Sequence, residues 1–194
     1  MTKGQDTKQA IVEQAVDLVS TMGLDKLTIG ALASATGMSK SGLFAHFRSK
    51  EQLQLQVLEE ARARFVDLVV APALKKPRGE ARIRELFERT MKQWEQGLPG
   101  GCVFHAVAAE LDDQPGPARD YLVESQKDYA ETLKRAAQIA VEEGEFRKDL
   151  DLDLFVFEYG SITAAHHHFG RLLGDPSSEK HARAAFEALI ARSH

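Results

Sequence analysis

The segment Ser39-Lys40-Ser41-Gly42 places small or polar side chains where a short helix is predicted to begin. None of these side chains is needed for an apolar core, and lysine and serine at a helix start can bind phosphates and base edges. Gly42 makes a helix less stable by about 1 kcal/mol relative to alanine. This cost is reasonable if the backbone must approach a flat surface such as a groove wall. The stretch therefore indicates binding to nucleic acid.

A second lysine is predicted in the first turn of the next helix. Ser49 and Gln52 form a capping-box pattern, so Lys50 follows the helix start directly. The helix dipole disfavours a cation there, but a bound phosphate would reverse the sign, and helix N-termini bind phosphates. The alternative is that Lys40 and Lys50 are ordinary solvated lysines.

The elements that must position these side chains are two short helices joined by a tight turn. Thr28 can cap the first helix and Ser39 the second, and Gly37 between them can adopt a positive φ. Leu43 and Phe47 lie four residues apart, so they share one face of the second helix. This arrangement predicts a helix-turn-helix, whose second helix usually lies in the major groove.

The stretch from Ile11 to Val57 resembles the DNA-binding domain of the TetR family of transcriptional regulators. The matching segments are Gly23, Thr28, Leu32-Ala33, Gly37-Met38-Ser39, Leu43-Phe44-Ala45-His46-Phe47 and Ser49-Lys50-Glu51-Gln52-Leu53. The family usually has tyrosine where this chain has Phe44, and that hydroxyl commonly contacts a phosphate. Phe44 can still wedge the helix, but it cannot donate that hydrogen bond.

The resemblance implies an all-α protein with two domains. Residues 1–50 would form the helix-turn-helix DNA-binding domain, and residues 51–194 a helical regulatory, effector-binding and dimerisation domain. The DNA-binding residues would be Thr28, Ser39, Lys40, Ser41, Gly42, Phe44, His46 and Lys50.

Composition and charge agree with this interpretation. The chain carries a formal net charge of −4, but residues 1–50 contain six Lys/Arg and four Asp/Glu, a net charge of +2. A mildly basic head on an acidic body fits a localised DNA footprint. The single cysteine, Cys102, excludes an internal disulfide, and the polar N-terminus lacks a signal-peptide pattern. We expect a cytoplasmic protein without a membrane-spanning segment.

Beyond residue 50 the apolar periodicity predicts helices only, over residues 49–70, 79–97, 102–111, 117–143, 151–173 and 177–192. In TetR-like proteins an effector lies among the middle helices of the body. The candidate pocket residues are Phe65, Phe87, Met91, Trp94, Phe104, His105, Tyr121, Ser125 and Tyr129. Aromatic stripes at helical spacing are also common in plain core, and this alternative remains open.

The last two predicted helices combine large apolar residues with small ones such as Gly160 and Ala164. In TetR-like proteins these helices pair with their twins across a two-fold axis. The predicted dimer-interface residues are Phe155, Tyr159, Ile162, His166, Phe169, Phe186 and Leu189. The alternative is that they only close the core of one chain.

Two further features invite other functions. Consecutive helical residues point about 100° apart, so His166, His167 and His168 cannot all reach one metal ion, and we expect neither a metal nor another cofactor. Cys102 follows two glycines near a helix start, where a thiolate is favoured, so a thiol-based redox sensor is a second hypothesis. An architectural DNA-binding protein without an effector is a third.

The sequence shows no phosphate-binding glycine loop, nucleophile elbow or carboxylate pair typical of an enzyme, and no catalytic residue is assigned. The leading hypothesis is a dimeric repressor that binds a palindromic operator and is released by a small-molecule effector. Its effector is expected to be mostly apolar, and its partners are double-stranded operator DNA, that effector and a second copy of the chain.

Overall fold

The computed structural model describes residues 3–194, apart from the side chains of residues 3, 5 and 94–96. Within these residues every regular element is helical, which confirms the predicted all-α fold. The α-helices are α1 (Lys3–Met22), α2 (Ile29–Thr36), α3 (Lys40–Phe44), α4 (Lys50–Phe65), α5 (Ala71–Leu74), α6 (Glu80–Gln96), α7 (Val103–Leu111), α8 (Pro117–Glu142), α9 (Leu152–His167) and α10 (Ser178–Ser193).

The helices pack into two compact units. The N-terminal unit comprises Met1–Phe65 and Gln96–Ser125, and the C-terminal unit comprises Val66–Glu95 and Gln126–His194. These are units of packing, so the predicted functional boundary at residue 50 stays a prediction. In the described part of the chain, no helix has the length and apolar character needed to cross a bilayer.

In the N-terminal unit, α1 packs against α2, α4 and α7, and α2 packs against α3. The apolar residues of these helices recur at helical spacing and point inward. The core residues of this unit are fully buried, and they include Val16, Val19, Leu32, Leu43, Phe47, Leu53, Val57 and Val107. This core holds α2 and α3 in place against α1 and α4.

In the C-terminal unit, α9 packs along α10, and an aromatic cluster lies in the core. The Phe87 and Phe186 rings stack with centroids 4.0 Å apart and an interplanar angle of 3°. Tyr159 meets both rings edge-on, at 6.0 and 6.1 Å. Aromatic pairs in such geometries stabilise a core beyond the effect of area alone.

Two predicted long helices are interrupted by π-helical turns. The helix predicted over residues 49–70 is α4 followed by a π turn at Val66–Val70, and the helix predicted over 151–173 is α9 followed by a π turn at His168–Leu172. In the first turn the Leu68 carbonyl accepts a hydrogen bond from Arg89 Nη1 at 3.2 Å. Apolar periodicity did not indicate either turn. A π turn changes the helical repeat by only a single residue, which is too small a shift to see in a short apolar pattern.

Candidate nucleic-acid interface

The turn between α2 and α3 has the local structure that its residues favour. Thr28 is extended, and its Oγ1 accepts a hydrogen bond from Ala31 N at 3.0 Å, which caps α2. Gly37 ends α2 with φ 67°, a left-handed conformation that glycine adopts without a Cβ penalty. The capping residues and the glycine therefore have the structural roles that the sequence predicted for them.

Helix α3 begins at a serine cap. Ser39 Oγ accepts a hydrogen bond from Gly42 N at 3.1 Å and lies 3.2 Å from Ser41 Oγ. A Cβ on Gly42 would lie 3.2 Å from Ser39 Oγ, so a larger residue there would crowd the cap. Gly42 therefore has a structural role in the helix cap, in addition to the predicted close approach of the backbone to DNA.

The side chains of α3 divide by burial. Leu43 and, just beyond the helix, Phe47 are fully buried, whereas Lys40 and Ser41 are exposed. Phe44 is 60% exposed, which is unusual for a phenylalanine. The apolar side of α3 therefore packs against the core. Its exposed side carries a lysine, a serine and one aromatic ring.

Lys50 lies at the start of α4 as predicted, and it already has a partner within the chain. Its Nζ donates a hydrogen bond to the Asp25 backbone carbonyl at 2.8 Å. Gln52 N donates to Ser49 Oγ at 3.0 Å, while Gln52 Oε1 accepts from Arg48 N at 3.0 Å, one residue before the cap. The first turn of α4 is therefore fixed by its own side chains, and Lys50 is tied to the loop between α1 and α2.

Two other residues of the N-terminal unit lie near this surface. His46 is half-buried, with its ring centroid 6.3 Å from that of Phe47. The ammonium of Lys8 lies 5.7 Å from the Phe47 ring centroid, a cation–π arrangement. Helix α7 also contacts this part of the molecule, because Glu110 accepts hydrogen bonds from the loop after α1. No periodicity or motif identifies such a capping carboxylate in advance.

The predicted pocket residues fall in both units. In the N-terminal unit, Phe104 and Ser125 are buried, whereas Phe65, His105 and Tyr121 are half-buried. The Ser125 hydroxyl oxygen has no hydrogen-bond partner in the described part of the chain. The side chain of Trp94 lies outside the described residues.

In the C-terminal unit, Phe87 and Met91 are 1% and 0% exposed and belong to the core. The Tyr129 hydroxyl lies 3.3 Å from Thr90 Oγ1 and 3.2 Å from the Tyr159 hydroxyl. Burial raises the pKa of Tyr159 well above its usual value, and the neighbouring Tyr129 adds to this effect, so Tyr159 stays neutral. These hydroxyls form a polar cluster within an otherwise apolar core.

The predicted dimer residues divide into two groups. Phe155, Tyr159, Phe186 and Leu189 are each at most 2% exposed, so the chain itself covers them and they cannot provide a contact surface. For these four the interface prediction is revised to a core role, because their apolar spacing could not distinguish the two faces of α9 and α10. Ile162 and His166 are half-buried, and Phe169 is 47% exposed.

Large apolar side chains on α9, in the π turn after it and at the residue that ends this turn face solvent. The set consists of Leu154, Phe157, Phe169, Leu172 and Leu173, with exposed fractions from 47% to 73%. Helix α10 adds small exposed residues, namely Ala184, Ala185, Ala188 and Ala191. We call these residues the α9–α10 apolar surface.

The histidines and the cysteine lie in ordinary structural environments. Burial lowers the pKa of both His166 and His167. Among the described residues no group of three or more His, Cys, Asp or Glu could hold a metal ion. Cys102 precedes α7 and is 7% exposed, and buried thiols are generally unreactive. The thiol-sensor hypothesis therefore gains no support from its geometry.

Comparison with known proteins places these features in a family. Residues 11–57 match the model of bacterial regulatory proteins of the tetR family, and residues 79–186 match that of the tetracyclin repressor-like C-terminal domain. The HTH-type transcriptional repressor KstR2 of Mycolicibacterium smegmatis is 25% identical over 154 residues, which cover 76% of this chain and 71% of the relative.

Solved structures share the fold. A TetR transcriptional regulator from Chloroflexus aurantiacus superposes with a TM-score of 0.87 at 25% identity, over 98% of this chain and 96% of that one. AibR, solved in complex with isovaleryl coenzyme A and operator DNA, gives a TM-score of 0.77 at 20% identity, over 96% and 99% of the two chains. These likenesses extend over both units of the chain.

Proposed function

Because this chain belongs to the TetR family of transcriptional regulators, we propose that it is a dimeric repressor that binds a palindromic operator and is released by a small-molecule effector. We base this proposal mainly on the exposed surface of α3. Lys40 and Ser41 are exposed at a serine-capped helix start whose apolar side is fully buried. Such a surface suits phosphates and base edges in the major groove.

Two copies of α3 are needed for tight binding, and the α9–α10 apolar surface offers a way to pair them. Phe157 on α9 is 71% exposed and Leu172 in the following π turn is 73% exposed, and α9 packs against α10. Large exposed apolar patches usually mark interaction sites, and a two-fold dimer presents its two recognition helices to two half-sites. We therefore assign dimerisation to this surface, which includes Phe169, and to Ile162 and His166.

The effector is proposed to bind the regulatory helices and to be mostly apolar with few polar groups. The C-terminal unit supports this with the hydroxyl cluster of Thr90 and Tyr129 and with Gln93, one turn after Thr90 on α6. The Gln93 Oε1 atom is buried without a hydrogen-bond partner in the described residues, and a ligand donor would satisfy it. The other predicted pocket residues remain candidates for this role.

A DNA-binding regulator of this kind acts where the chromosome is, so we propose a cytoplasmic location. The direct experiment is selection of bound duplexes by the purified protein from a random double-stranded pool. We expect one palindromic sequence to be enriched. The Lys40→Ala variant should enrich it less strongly and with a changed base preference. Recovery of no preferred sequence at moderate salt would contradict it.

The effector can be sought by thermal shift with a library of apolar metabolites. A ligand at a hundred times its dissociation constant should stabilise the protein by about 2.7 kcal/mol. An effector must also lower operator affinity, because it can release DNA only through its different affinities for the two states. A ligand that stabilises the protein without changing operator affinity would not be the effector.

A further inference from the structure

The loop between α1 and α2 is held by a carboxylate from outside the helix-turn-helix. Glu110, on α7, accepts hydrogen bonds through Oε2 from Leu24 N at 2.7 Å and from Asp25 N at 3.2 Å. Hydrogen bonds from backbone amides to an ionised carboxylate are about twice as strong as neutral ones. We call residues 23–26 the α1–α2 corner.

The end of α1 and the corner after it are closely approached by the segment before α7 and by α7 itself. Gly23 has φ 82°, and a Cβ there would overlap the Glu110 carboxylate. Gly100 N donates a buried hydrogen bond to Ser20 Oγ at 2.9 Å, and a Cβ on Gly100 would overlap the Ser20 carbonyl. The backbone contact excludes a Cβ at Gly100, and the absence of a Cβ at Gly23 leaves room for the Glu110 carboxylate, so α7 and the segment before it are held against the end of α1 at two points.

The carbonyl groups of the same corner are bound by α4. Lys50 Nζ donates to the Asp25 carbonyl at 2.8 Å, and Gln54 Nε2 donates to the Leu24 carbonyl at 3.1 Å. Leu24 and Asp25 thus each have their N–H bonded to Glu110 on α7 and their carbonyl bonded to a side chain of α4. A change at Glu110 therefore reaches the lysine at the start of α4 through one short stretch of backbone.

We infer that Glu110 is a positioning residue for operator binding, although it lies about sixty residues beyond the helix-turn-helix in the sequence. Its carboxylate fixes the α1–α2 corner and thereby the location of the Lys50 ammonium relative to α3. This inference rests on the proposed function, since the property that Glu110 controls is affinity for the operator.

The experiment compares Glu110→Ala and Glu110→Gln with Glu124→Ala on the selected operator duplex, in the full-length protein. Glu124 is exposed on α8 in the same unit, so its replacement removes the same charge without touching the corner. Glu110→Ala should weaken binding about tenfold, the size of a typical coupling between sites. Glu110→Gln keeps an acceptor and should weaken it about threefold, while Glu124→Ala stays at or above wild-type affinity.

A second readout separates positioning from general stabilisation. The slope of affinity against salt should fall by no more than in Lys50→Ala, about 1, because the only phosphate contact that Glu110 controls is that of Lys50. Amide hydrogen exchange at Leu24 and Asp25 should be faster in Glu110→Ala than in Glu124→Ala. Affinities are measured well below the unfolding midpoint of every variant.

Wild-type operator affinity in a folded Glu110→Ala protein, with only a lowered unfolding midpoint, would overturn the inference. If Glu110→Ala does not fold, wild-type affinity of Glu110→Gln overturns it instead. Failure of the proposed function is distinguishable, because the wild-type protein itself would then select no duplex.

Discussion

The exposure of large apolar side chains differs between residues 27–53 and residues 152–173, both of which the structure describes fully. In the first region Phe44 is exposed, Ile29 and Met38 are half-buried, and the other large apolar residues are buried. In the second, Leu154, Phe157, Phe169, Leu172 and Leu173 all remain exposed. The first surface suits a charged, hydrated partner, and the second suits an apolar one.

The comparison also explains which predictions needed revision. In the helix-turn-helix, Leu32, Leu43 and Phe47 are buried, and apart from Phe44 the exposed residues are polar or small. On α9, apolar residues occur on both faces, with Phe155 buried and Phe157 exposed only two positions later. A helix that is apolar on two faces can bury one against its own chain and the other against a second chain.

The largest expected effect comes from a charge in the second region. Phe157→Glu should convert a dimer of twice 21.5 kDa into a monomer and should weaken operator binding about 100-fold or more, because linked binding to two half-sites is lost. Light scattering and operator titration measure the two effects.

The matched control is Leu74→Glu, at a 44% exposed apolar residue of the C-terminal unit outside α9 and α10. It should leave the mass and the affinity unchanged. A Phe157→Glu protein that stays dimeric would assign the dimer contact to another surface.

The next effect concerns the charges of the first region. Lys40→Ala and Lys50→Ala should each weaken operator binding by about 1–3 kcal/mol. Lys50→Ala should do so equally on related sequences and reduce the salt slope by about 1, while Lys40→Ala should relax sequence preference. Lys180→Ala, an exposed lysine of α10, is the control with the same charge change.

If Lys50→Ala lowers affinity but leaves the salt slope unchanged, Lys50 acts through its bond to the Asp25 carbonyl rather than through a phosphate. That outcome would change the assigned role of this lysine and leave the role of α3 intact.

A smaller effect is expected at the one exposed aromatic ring of the first region. Phe44→Tyr adds the hydroxyl that the family usually has and should raise operator affinity by about 1 kcal/mol if a phosphate lies within reach. Phe44 is 60% exposed, so the added hydroxyl needs no space in the core. Unchanged or lower affinity would mean that α3 docks on DNA differently from the recognition helices of other TetR-family regulators.

The smallest effect is a pH dependence in the second region. Burial lowers the pKa of His166 and His167 in the folded chain, with Arg171 also lowering that of His167 and Glu179 opposing the shift at His166. The unfolded chain therefore binds protons first as pH falls below about 6.5, and stability decreases from there. Between pH 7.5 and 5.5, wild type should lose about 1–2 °C more in unfolding midpoint than His167→Gln. An equal loss would contradict this assignment.

The helix-turn-helix could be predicted from sequence because its features are local. Thr28, Gly37 and Ser39 each favour one conformation within a few residues, and the structure contains those caps and that positive φ. Family resemblance added the recognition role of α3. The bounds of the longer helices could be predicted as well, apart from the two π turns.

The rest depends on contacts between distant residues. The bond from Leu24 N to Glu110 joins positions 86 residues apart, and no spacing rule identifies it. The choice between the two apolar faces of α9 depends on where α10 packs, which periodicity does not contain. The effector pocket remains a prediction for the same reason, since its residues come from several helices.

The measurement that tests the central claim most directly is the mass and footprint of the wild-type protein on its selected duplex. We expect two chains per duplex and two protected half-sites related by a two-fold axis, with major-groove contacts at each. One chain per duplex with full affinity, or a single protected half-site, would contradict it.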